Sequence, residues 1–520
     1  MSSNALAADP PLATSPMDGV SPATDTFPIY EFRVLGNTKL PIRAIESAVY
    51  PLLGEGRSLA AVEAARDALV AAYRSAGFGT VLVDIPEQSV DDGVVRLQVT
   101  EGRIEKVRIA GARYYSERRI LERLPAAKEG EIPNIPELQS QLSALQGEAR
   151  DREVTPTLKP GSAPGTLVVD FGVKDALPLH GSLELNNRYS ADTTRTRLVG
   201  SLSYENMFQR AETLGLQYQT APQKPSEVEV FALTYLARTA DPNRTWSAYA
   251  IRSKSDVAAI GTLAVIGNGT IIGARMNLTL ASSVGHVQSL SFGGDWKDFG
   301  EDIRLPSDVS ARTPIHYALW NVQYNYSAQG ERLDVQHSIG VNLGIRGLGG
   351  NDAQFEFKRA GAHAGYSVLR GNSSLGWHLN RGWTLGARLA YQYSEQPLIS
   401  NEQLALGGED TVRGYLDAES LVDAGVVGAV ELRTPGVTHG VSTFSGTLFY
   451  DRAYGMNQQP LNSEIASGSV RTDLAGWGLG LHYMVGQSLD AIVDWAMPEV
   501  RGSHTNARSS RFDFSVKYSF

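Results

Sequence analysis

The chain has 520 residues, of which 42% are hydrophobic and 52 are glycine, and its formal net charge is −9. This length suits two or more domains, and the acidic balance does not indicate a nucleic-acid partner. There is no cysteine. That absence excludes disulfides, thiolate metal sites and cysteine catalysis.

Residues 1–26 are predicted to be a disordered N-terminal segment. They are rich in Pro, Ser, Ala and Asp, a composition that favours disorder. Four prolines in this segment argue against a long helix. The tripeptide Ala5-Leu6-Ala7 is typical of the end of a signal peptide, but no charged or apolar region precedes it, so we expect the signal to have been removed already.

Residues 27–102 are predicted to form a small α+β unit with the order β-α-α-β-β. Apolar residues follow one stripe of its long helix, and Ser58 is the candidate N-cap. The strands and the long helix are predicted at Tyr30–Leu35, Ser58–Ala76, Gly79–Ile85 and Val94–Thr100.

Residues 103–176 repeat the same order of elements. Strands are predicted at Ile104–Ile109, Val154–Leu158 and Leu167–Val173, with two helices between the first and second of them. Two small α+β domains in tandem could have a structural role only. The alternative is that they offer sheet edges and helix grooves to an extended partner chain.

From residue 177 the helical pattern ends and segments of about ten residues alternate between polar and apolar side chains, the length that a tilted strand needs to cross a bilayer. Leu198, Leu202 and Tyr204 share one face of such a segment, for example. The segment Phe512–Phe520 alternates in the same way, with aromatic residues at four of its positions. The alternation predicts lipid on one face and water, not a packed core, on the other.

The connections alternate between tight turns and longer polar loops. The tight turns are predicted at Met207–Gln209, Asp241–Asn243, Ser283–Gly285, Ala328–Gly330, Asn380–Gly382, Pro435–His439 and Val485–Gln487. Seven turns and eight loops predict a sixteen-stranded antiparallel transmembrane β-barrel over residues 177–520. A barrel of this size has an aqueous lumen, and both termini lie on the side of the short turns, which is periplasmic.

The longest loop, residues 395–422, and a later strand carry the most specific motifs. The loop contains Leu406-Gly407-Gly408 followed by Val412-Arg413-Gly414-Tyr415, and the thirteenth strand contains Phe449-Tyr450-Asp451. On composition alone Arg413 is a solvated loop charge. Both motifs together, at this spacing, resemble the signatures of the polypeptide-transporting barrel superfamily.

That resemblance implies that the loop folds back into the lumen and that Arg413 meets Asp451, with Phe449 on the same lumen face. An arginine fork can bind a carboxylate through two hydrogen bonds and so fix a long loop. Glu431 and Arg433, on the inward face of the twelfth strand, are predicted to extend the network.

The first α+β unit adds to the resemblance. Its motifs are Ala76-Gly77-Phe78-Gly79-Thr80, Ile85-Pro86-Glu87-Gln88 and Val99-Thr100-Glu101-Gly102-Arg103-Ile104. They are similar to the first polypeptide-transport-associated (POTRA) domain of two-partner secretion transporters of the ShlB/FhaC/HecB type. The resemblance implies two tandem POTRA domains in the periplasm, followed by a barrel in the outer membrane of a Gram-negative bacterium.

The function implied by this family is export of one large exoprotein, which carries an N-terminal secretion domain, without ATP. The further partners implied are outer-membrane lipid and the barrel-assembly machinery. An aromatic residue at the position of Phe520 resembles the signal by which outer-membrane proteins reach that machinery. No nucleic-acid partner is expected.

No catalytic, cofactor or metal site is predicted, because the nucleotide, zinc-protease and serine-hydrolase motifs are all missing from the sequence. His363 is predicted to line the lumen from a barrel strand. The alternative function is an insertase of the same superfamily, whose members generally carry three or more periplasmic domains. A passive channel would leave the tandem domains and the paired motifs without a purpose.

Overall fold

The computed structural model describes residues 26–90, 92–191, 193–255, 257–260, 263–304, 310–459 and 470–520. The predicted disordered segment therefore lies outside the described residues, except for its last position. The chain divides into two compact units, Met1–Ala176 and Leu177–Phe520.

The first half of the N-terminal unit has seven helices and strands, in which the helices pack against a small sheet. They are β1 (Phe27–Ile29), β2 (Glu31–Leu35), α1 (Ile42–Val49), β3 (Gly54–Arg57), α2 (Leu59–Ser75), β4 (Leu82–Asp84) and β5 (Val94–Thr100). Strand β5 lies between β2, which is parallel to it, and β4, which is antiparallel, and β1 pairs with β3. Buried residues of α2 and β5, such as Leu69 and Leu97, form the core. Ser58 occupies the N-cap position of α2, but its side chain makes no capping hydrogen bond.

The second half of this unit repeats the arrangement. Its elements are β6 (Arg103–Ala110), α3 (Glu117–Glu122), α4 (Ile135–Glu148), β7 (Arg152–Pro160) and β8 (Thr166–Asp175), in the sheet order β6-β8-β7. Asn134 caps α4 by accepting from the backbone amide of Glu137 at 3.2 Å, and its own amide donates to the carbonyl oxygen of Ala76 at 3.2 Å. The backbone amide of Ile135 also donates to the carbonyl oxygen of Gly77 at 2.9 Å. These bonds join the two halves.

The C-terminal unit is a closed antiparallel barrel of sixteen strands, as predicted. In chain order the barrel strands are Leu179–Asn186, Arg197–Met207, Glu212–Thr220, Glu229–Arg238, Arg244–Lys254, Gly269–Ser283, His286–Arg304, Ser310–Gln329, Leu333–Gly349, Ser367–His378, Thr384–Tyr393, Ala424–Arg433, Ser442–Met456, Arg471–Val485, Leu489–Pro498 and Arg511–Ser519. The short segment Val437–His439 pairs with the thirteenth strand beyond the end of the twelfth. The sixteenth strand pairs with the first and closes the barrel.

The loops carry a few short elements. They are α5 (Asp352–Lys358), the strand pairs Val257–Ile260 with Leu263–Ile266 and Leu404–Leu406 with Ser420–Val422, and single 3-10 turns at Tyr50–Leu52, Pro125–Ala127, Asn380–Gly382 and Ser400–Glu402. Within the described ranges, none of the helices is both long enough and apolar enough to span a membrane.

The inward face of the barrel has two different parts. Serine, asparagine and glutamine side chains line much of a lumen cavity of about 1430 Å³. Near the long-loop end, however, inward positions of the fourth to eighth strands and of the tenth carry buried apolar residues, including Val230, Ile251, Phe299 and Tyr317. The expectation that the inward face meets only water is therefore wrong at this end, because loop residues cover it with an apolar core.

Candidate functional site in the barrel lumen

The motif loop, residues 395–422, places Arg413 against the thirteenth strand inside the barrel. Its Nε donates to Asp451 Oδ2 at 2.7 Å and its Nη2 donates to Asp451 Oδ1 at 2.8 Å, so the guanidinium binds both carboxylate oxygens. The backbone amide of Arg413 also donates to Asp451 Oδ2, at 3.1 Å. Asp451 is fully buried and Arg413 is 6% exposed.

Two further carboxylates surround the same guanidinium. Arg413 Nη2 donates to Glu431 Oε1 at 2.8 Å, and Arg413 Nη1 lies 3.7 Å from Asp494 Oδ2. Glu431 is also bound by Arg433 through Oε2 at 2.6 Å and lies 3.4 Å from Arg388. The structure thus brings together Arg413, Asp451, Glu431 and Arg433, and Asp494 is a member that the sequence did not indicate.

Aromatic and apolar contacts shield this network from water. The guanidinium carbon of Arg413 lies 3.4 Å from the centre of the Phe449 ring, which is a cation–π contact. Val412 and Tyr415 are fully buried. The Tyr415 hydroxyl donates to the carbonyl oxygen of Val500 at 2.6 Å. Removal of water strengthens each ion pair in the network and raises the cost of losing one partner.

Gly414 is required by the backbone of the motif. Its φ is +93°, a conformation that other residues rarely adopt. A Cβ atom here would lie 3.3 Å from the Ala496 Cβ and 3.3 Å from the Pro498 Cδ. The glycine lets the loop lie directly on the fifteenth strand.

The network is suited to holding a loop and not to proton transfer. Burial lowers the pKa of Arg413, but the bonds to Asp451 and the charge of Glu431 raise it to a net value above the ordinary one. Arg413 therefore stays charged, and its partners are fixed by hydrogen bonds in several directions.

The chain matches the family model "Haemolysin secretion/activation protein ShlB/FhaC/HecB" over residues 165–483, more than half of its length, and the ShlB-type POTRA domain over residues 27–102. The chain belongs to this haemolysin secretion/activation family. It is 24% identical to the outer membrane transporter CdiB of Dickeya dadantii over 363 residues, which are 66% of this chain and 61% of that protein. This chain thus matches less than two thirds of that relative's length.

Two solved structures share the fold. CdiB from Escherichia coli superposes with a TM-score of 0.61 at 18% identity and covers 97% of this chain and 93% of its own. BamA from Haemophilus ducreyi, lacking POTRA domains 1–3, superposes with a TM-score of 0.59 at 13% identity, over 95% of this chain and 100% of its own. The chain therefore has the barrel fold of these two structures, together with a ShlB-type POTRA domain over residues 27–102.

The motif loop also binds neighbouring loops. Glu419 accepts from the backbone amide of Thr505 at 2.8 Å and from its hydroxyl at 2.7 Å, which joins the motif loop to the last loop. Arg188, in the first loop, donates to Glu409 at 2.7 Å. The motif loop is therefore held by the barrel wall and by two other loops.

Sequence reasoning missed two buried acids at the ends of the motif loop, Glu402 and Asp423. Both side chains are fully buried and paired with cations, Glu402 with Lys297 and Asp423 with Arg359. They lie in no recognisable motif. Asp423 stands between two apolar residues and Glu402 between two polar amide residues, and neither setting is unusual enough to indicate a site.

Two other predicted residues lie in different surroundings from the lumen network. His363 is exposed in the loop after α5 and not on a barrel strand, so its predicted lumen-lining position is wrong. Phe520 extends the sixteenth strand, and its backbone amide and carbonyl oxygen both bond to Gly181, each at 3.0 Å. Its side chain is 65% exposed.

Proposed function

We propose that this protein is the transporter of a two-partner secretion system and exports one large exoprotein through its barrel without ATP. The observation that carries the proposal is the match to the haemolysin secretion/activation family, which spans the motif loop and the two strands that supply Glu431 and Asp451 to Arg413. The exoprotein would carry an N-terminal secretion domain that the periplasmic domains bind.

We assign residues 103–176 as a second POTRA domain. The assignment rests on the same order of strands and helices as in residues 27–102, and on a central strand, β8, that is parallel to one neighbour and antiparallel to the other. Strand β7 forms one edge of this sheet, and its second half, from Thr155 to Pro160, is exposed. An extended client segment could add to such an edge through main-chain hydrogen bonds.

The Arg413 network is proposed to fix the motif loop within the lumen while the client passes beside it. Support comes from the three donors of Arg413 to Asp451 and from the close packing of Phe449 and Gly414. A loop held at one carboxylate keeps its position when the cavity beside it fills with a polypeptide.

The energy for export is proposed to come from folding of the client outside the cell, since each folded part opposes backward movement. The further partners in this proposal are outer-membrane lipid, against the exposed apolar face of the barrel, and the barrel-assembly machinery, with Phe520 as a recognition residue. Clients that cannot fold would then be exported more slowly, and an unchanged rate would contradict this source of energy.

The alternative is insertion of other outer-membrane barrels. The similarity to BamA from Haemophilus ducreyi supports the shared barrel fold only, at 13% identity. The family match favours the transporter.

The test is a comparison of culture supernatant and outer membrane from cells with and without this protein. Loss of one large extracellular protein with other barrels unchanged would support the transporter. A general fall in outer-membrane barrels would support the insertase, and no change in either fraction would contradict both.

A further inference from the structure

The long-loop end of the barrel contains a second core that the Arg413 network does not explain. Seventeen buried apolar residues form it, supplied by the barrel wall, by the loop between the third and fourth strands, by residues 352–366 and by the start of the motif loop. The aromatic centre consists of Phe299, Tyr317, Phe355 and Tyr366, with ring centres 5.4 Å to 6.4 Å apart.

We define residues 351–366, which include α5, as the cap. Phe355 of the cap is fully buried against Tyr317 of the barrel wall. The cap begins with a complete capping box, in which Asn351 and Gln354 exchange hydrogen bonds between side chain and backbone, so α5 is a well-formed helix and not an irregular turn. The cap therefore packs as an ordered element across the inward face of the wall.

Glu402 joins this core to the root of the motif loop. Lys297 Nζ lies 2.5 Å from Glu402 Oε1, and the Tyr317 hydroxyl donates to the same oxygen at 2.6 Å. Arg370 donates to the Glu402 carbonyl oxygen at 2.8 Å and lies 3.6 Å from Oε2. Three strands of the wall thus hold one carboxylate that is fully buried.

Asp423 makes a corresponding junction at the other end of the loop. Its carboxylate accepts from Arg359 of the cap at 2.9 Å, from the backbone amide of Leu398 at 3.0 Å and from the Gln403 side chain at 3.0 Å. It also accepts from the backbone amide of Gln458 at 2.8 Å. One buried carboxylate therefore links the cap, both ends of the motif loop and the loop before the fourteenth strand.

The two junctions and the Arg413 network have no residue in common. The Arg413 partners come from the twelfth, thirteenth and fifteenth strands, whereas Glu402 is held by the seventh, eighth and tenth. The lumen cavity is lined by Lys297, Arg370 and Gln403 and so reaches these junctions.

We propose that Glu402 and Asp423 are positioning residues for transport, which together hold the cap across the external end of the lumen in the resting transporter. The client must displace the cap to leave, and the Arg413 network stays intact while this happens. The inference rests on the proposed export function only for its last step, because closure of the lumen can be measured without a client.

Neutralising either acid should release the cap. In Glu402→Gln, Lys297 keeps its charge in a buried position and loses the Glu402 carboxylate, and in Asp423→Asn the largely buried Arg359 loses the Asp423 carboxylate. Loss of one partner of a buried ion pair strongly destabilises the closed arrangement. We expect the open fraction of the channel to rise by at least about tenfold in each variant.

The experiment is single-channel recording of the purified full-length protein in planar bilayers. Heat-modifiable migration on gels first confirms that each variant barrel is folded. The matched control is Glu395→Gln, an acid of the same loop whose side chain is exposed. A rise in open fraction for Glu402→Gln or Asp423→Asn, with the control at the wild-type level, supports the proposal. Folded variants that conduct like the wild type overturn it, as does an equal rise in the control.

A second variant pair addresses the cap directly and separates this inference from the export proposal. Because the chain has no cysteine, Arg359→Cys with Asp423→Cys can be joined by a short reducible bismaleimide linker. With the linker in place, the channel should stay closed and release of the exoprotein should stop. Reduction of the linker should restore both channel opening and release. If the channel closes but no exoprotein is released in any state, the export proposal fails while the cap inference stands; a joined channel that remains open overturns the cap inference.

Discussion

Arg413 and Asp451 are joined by three hydrogen bonds, from the backbone amide, Nε and Nη2 of the arginine to one fully buried carboxylate. The carboxylate therefore fixes the backbone of the loop as well as the side chain. The hydrogen bond from the backbone amide does not depend on the side chain. Substitutions of Arg413 therefore test the geometry of the guanidinium separately from the backbone contact.

Arg413→Lys is expected to keep the positive charge and lose the planar fork. A lysine ammonium cannot bind both Asp451 oxygens and Glu431 in the same geometry. Losing most of the interactions of a buried ion pair costs up to about 3–5 kcal/mol. Export of the exoprotein should therefore fall at least tenfold while the barrel still assembles. Immunoblots of the supernatant and heat-modifiable gel migration measure the two effects.

The matched control for that substitution is Arg452→Lys. Arg452 binds Asp473 at 3.0 Å, but both side chains are largely exposed. Exposed pairs contribute little to stability, so export should stay at the wild-type level. Equal losses in the two variants would contradict a special role for the Arg413 fork.

Gly414→Ala is expected to weaken the packing of the loop without changing any charge. The new methyl group would have to fit a left-handed backbone, which costs about 1–3 kcal/mol, and would press on Ala496 and Pro498, each 3.3 Å from the Cβ position. The motif loop should become more accessible to added trypsin, measured on the purified protein by the rate of cleavage at Arg413.

Gly440→Ala is the control for an alanine in a left-handed backbone outside the motif loop. Gly440 also has a positive φ, of +63°, but a Cβ atom there would meet nothing within 4 Å. The control should leave the trypsin rate unchanged, since it lies in a tight turn and does not contact the loop. If trypsin cleaved the Gly440→Ala variant as fast as the Gly414→Ala variant, the packing argument would be contradicted.

The sequence could predict those parts of the molecule that depend on local periodicity. Alternation of period two located the barrel strands, and Gly and Pro residues located the tight turns, because both signals arise within a few residues. The meeting of Arg413 with Asp451 came from the family resemblance, since 38 positions separate them. No local pattern could supply that contact.

The missed features all depend on contacts between distant loops. Val230 and Ile251 alternate along their strands in the same way as lipid-facing residues, so their burial under the cap has no sequence signature. Glu402 resembles any loop acid until Lys297 and Tyr317 surround it. Tertiary packing decides such positions, and single-sequence patterns do not report it.

Glu101 should make the stability of the POTRA domain, residues 27–102, depend on pH. Burial raises the pKa of this carboxyl, but bonds from the side chain and amide of Thr38, from the Lys39 amide and from the Tyr73 hydroxyl bring it below its ordinary value. The folded state thus binds the proton less readily than the unfolded chain. The ionised Glu101 carboxylate therefore contributes fully to the stability of the folded state above its ordinary pKa of 4.5. This contribution is lost as the pH falls through the lower pKa of the folded state.

The measurement is thermal unfolding of the full-length protein at several pH values between 3 and 7, followed by helical circular dichroism. Helices α1 to α4 all lie in the N-terminal unit, so this signal reports mainly on that unit. Glu101→Gln should flatten the acidic part of the curve. Glu63→Gln, at an exposed position of α2, should leave it unchanged, and the same flattening in both variants would contradict the assignment.

Asn134→Ala should destabilise the junction between the two halves of the N-terminal unit. The substitution removes two hydrogen bonds of the Asn134 side chain, each 3.2 Å long. One is the N-capping bond from the Glu137 amide at the start of α4, and the other goes to the Ala76 carbonyl oxygen. Loss of an N-capping side chain costs about 1 kcal/mol, which for a unit of this size lowers the melting temperature by about 2–4 °C. The matched control is Ser58→Ala, because Ser58 also precedes a helix but makes no capping bond. Its melting temperature should stay within about 1 °C of the wild type, and equal shifts in the two variants would show that position at the N-cap, and not the bonds of Asn134, determines the loss.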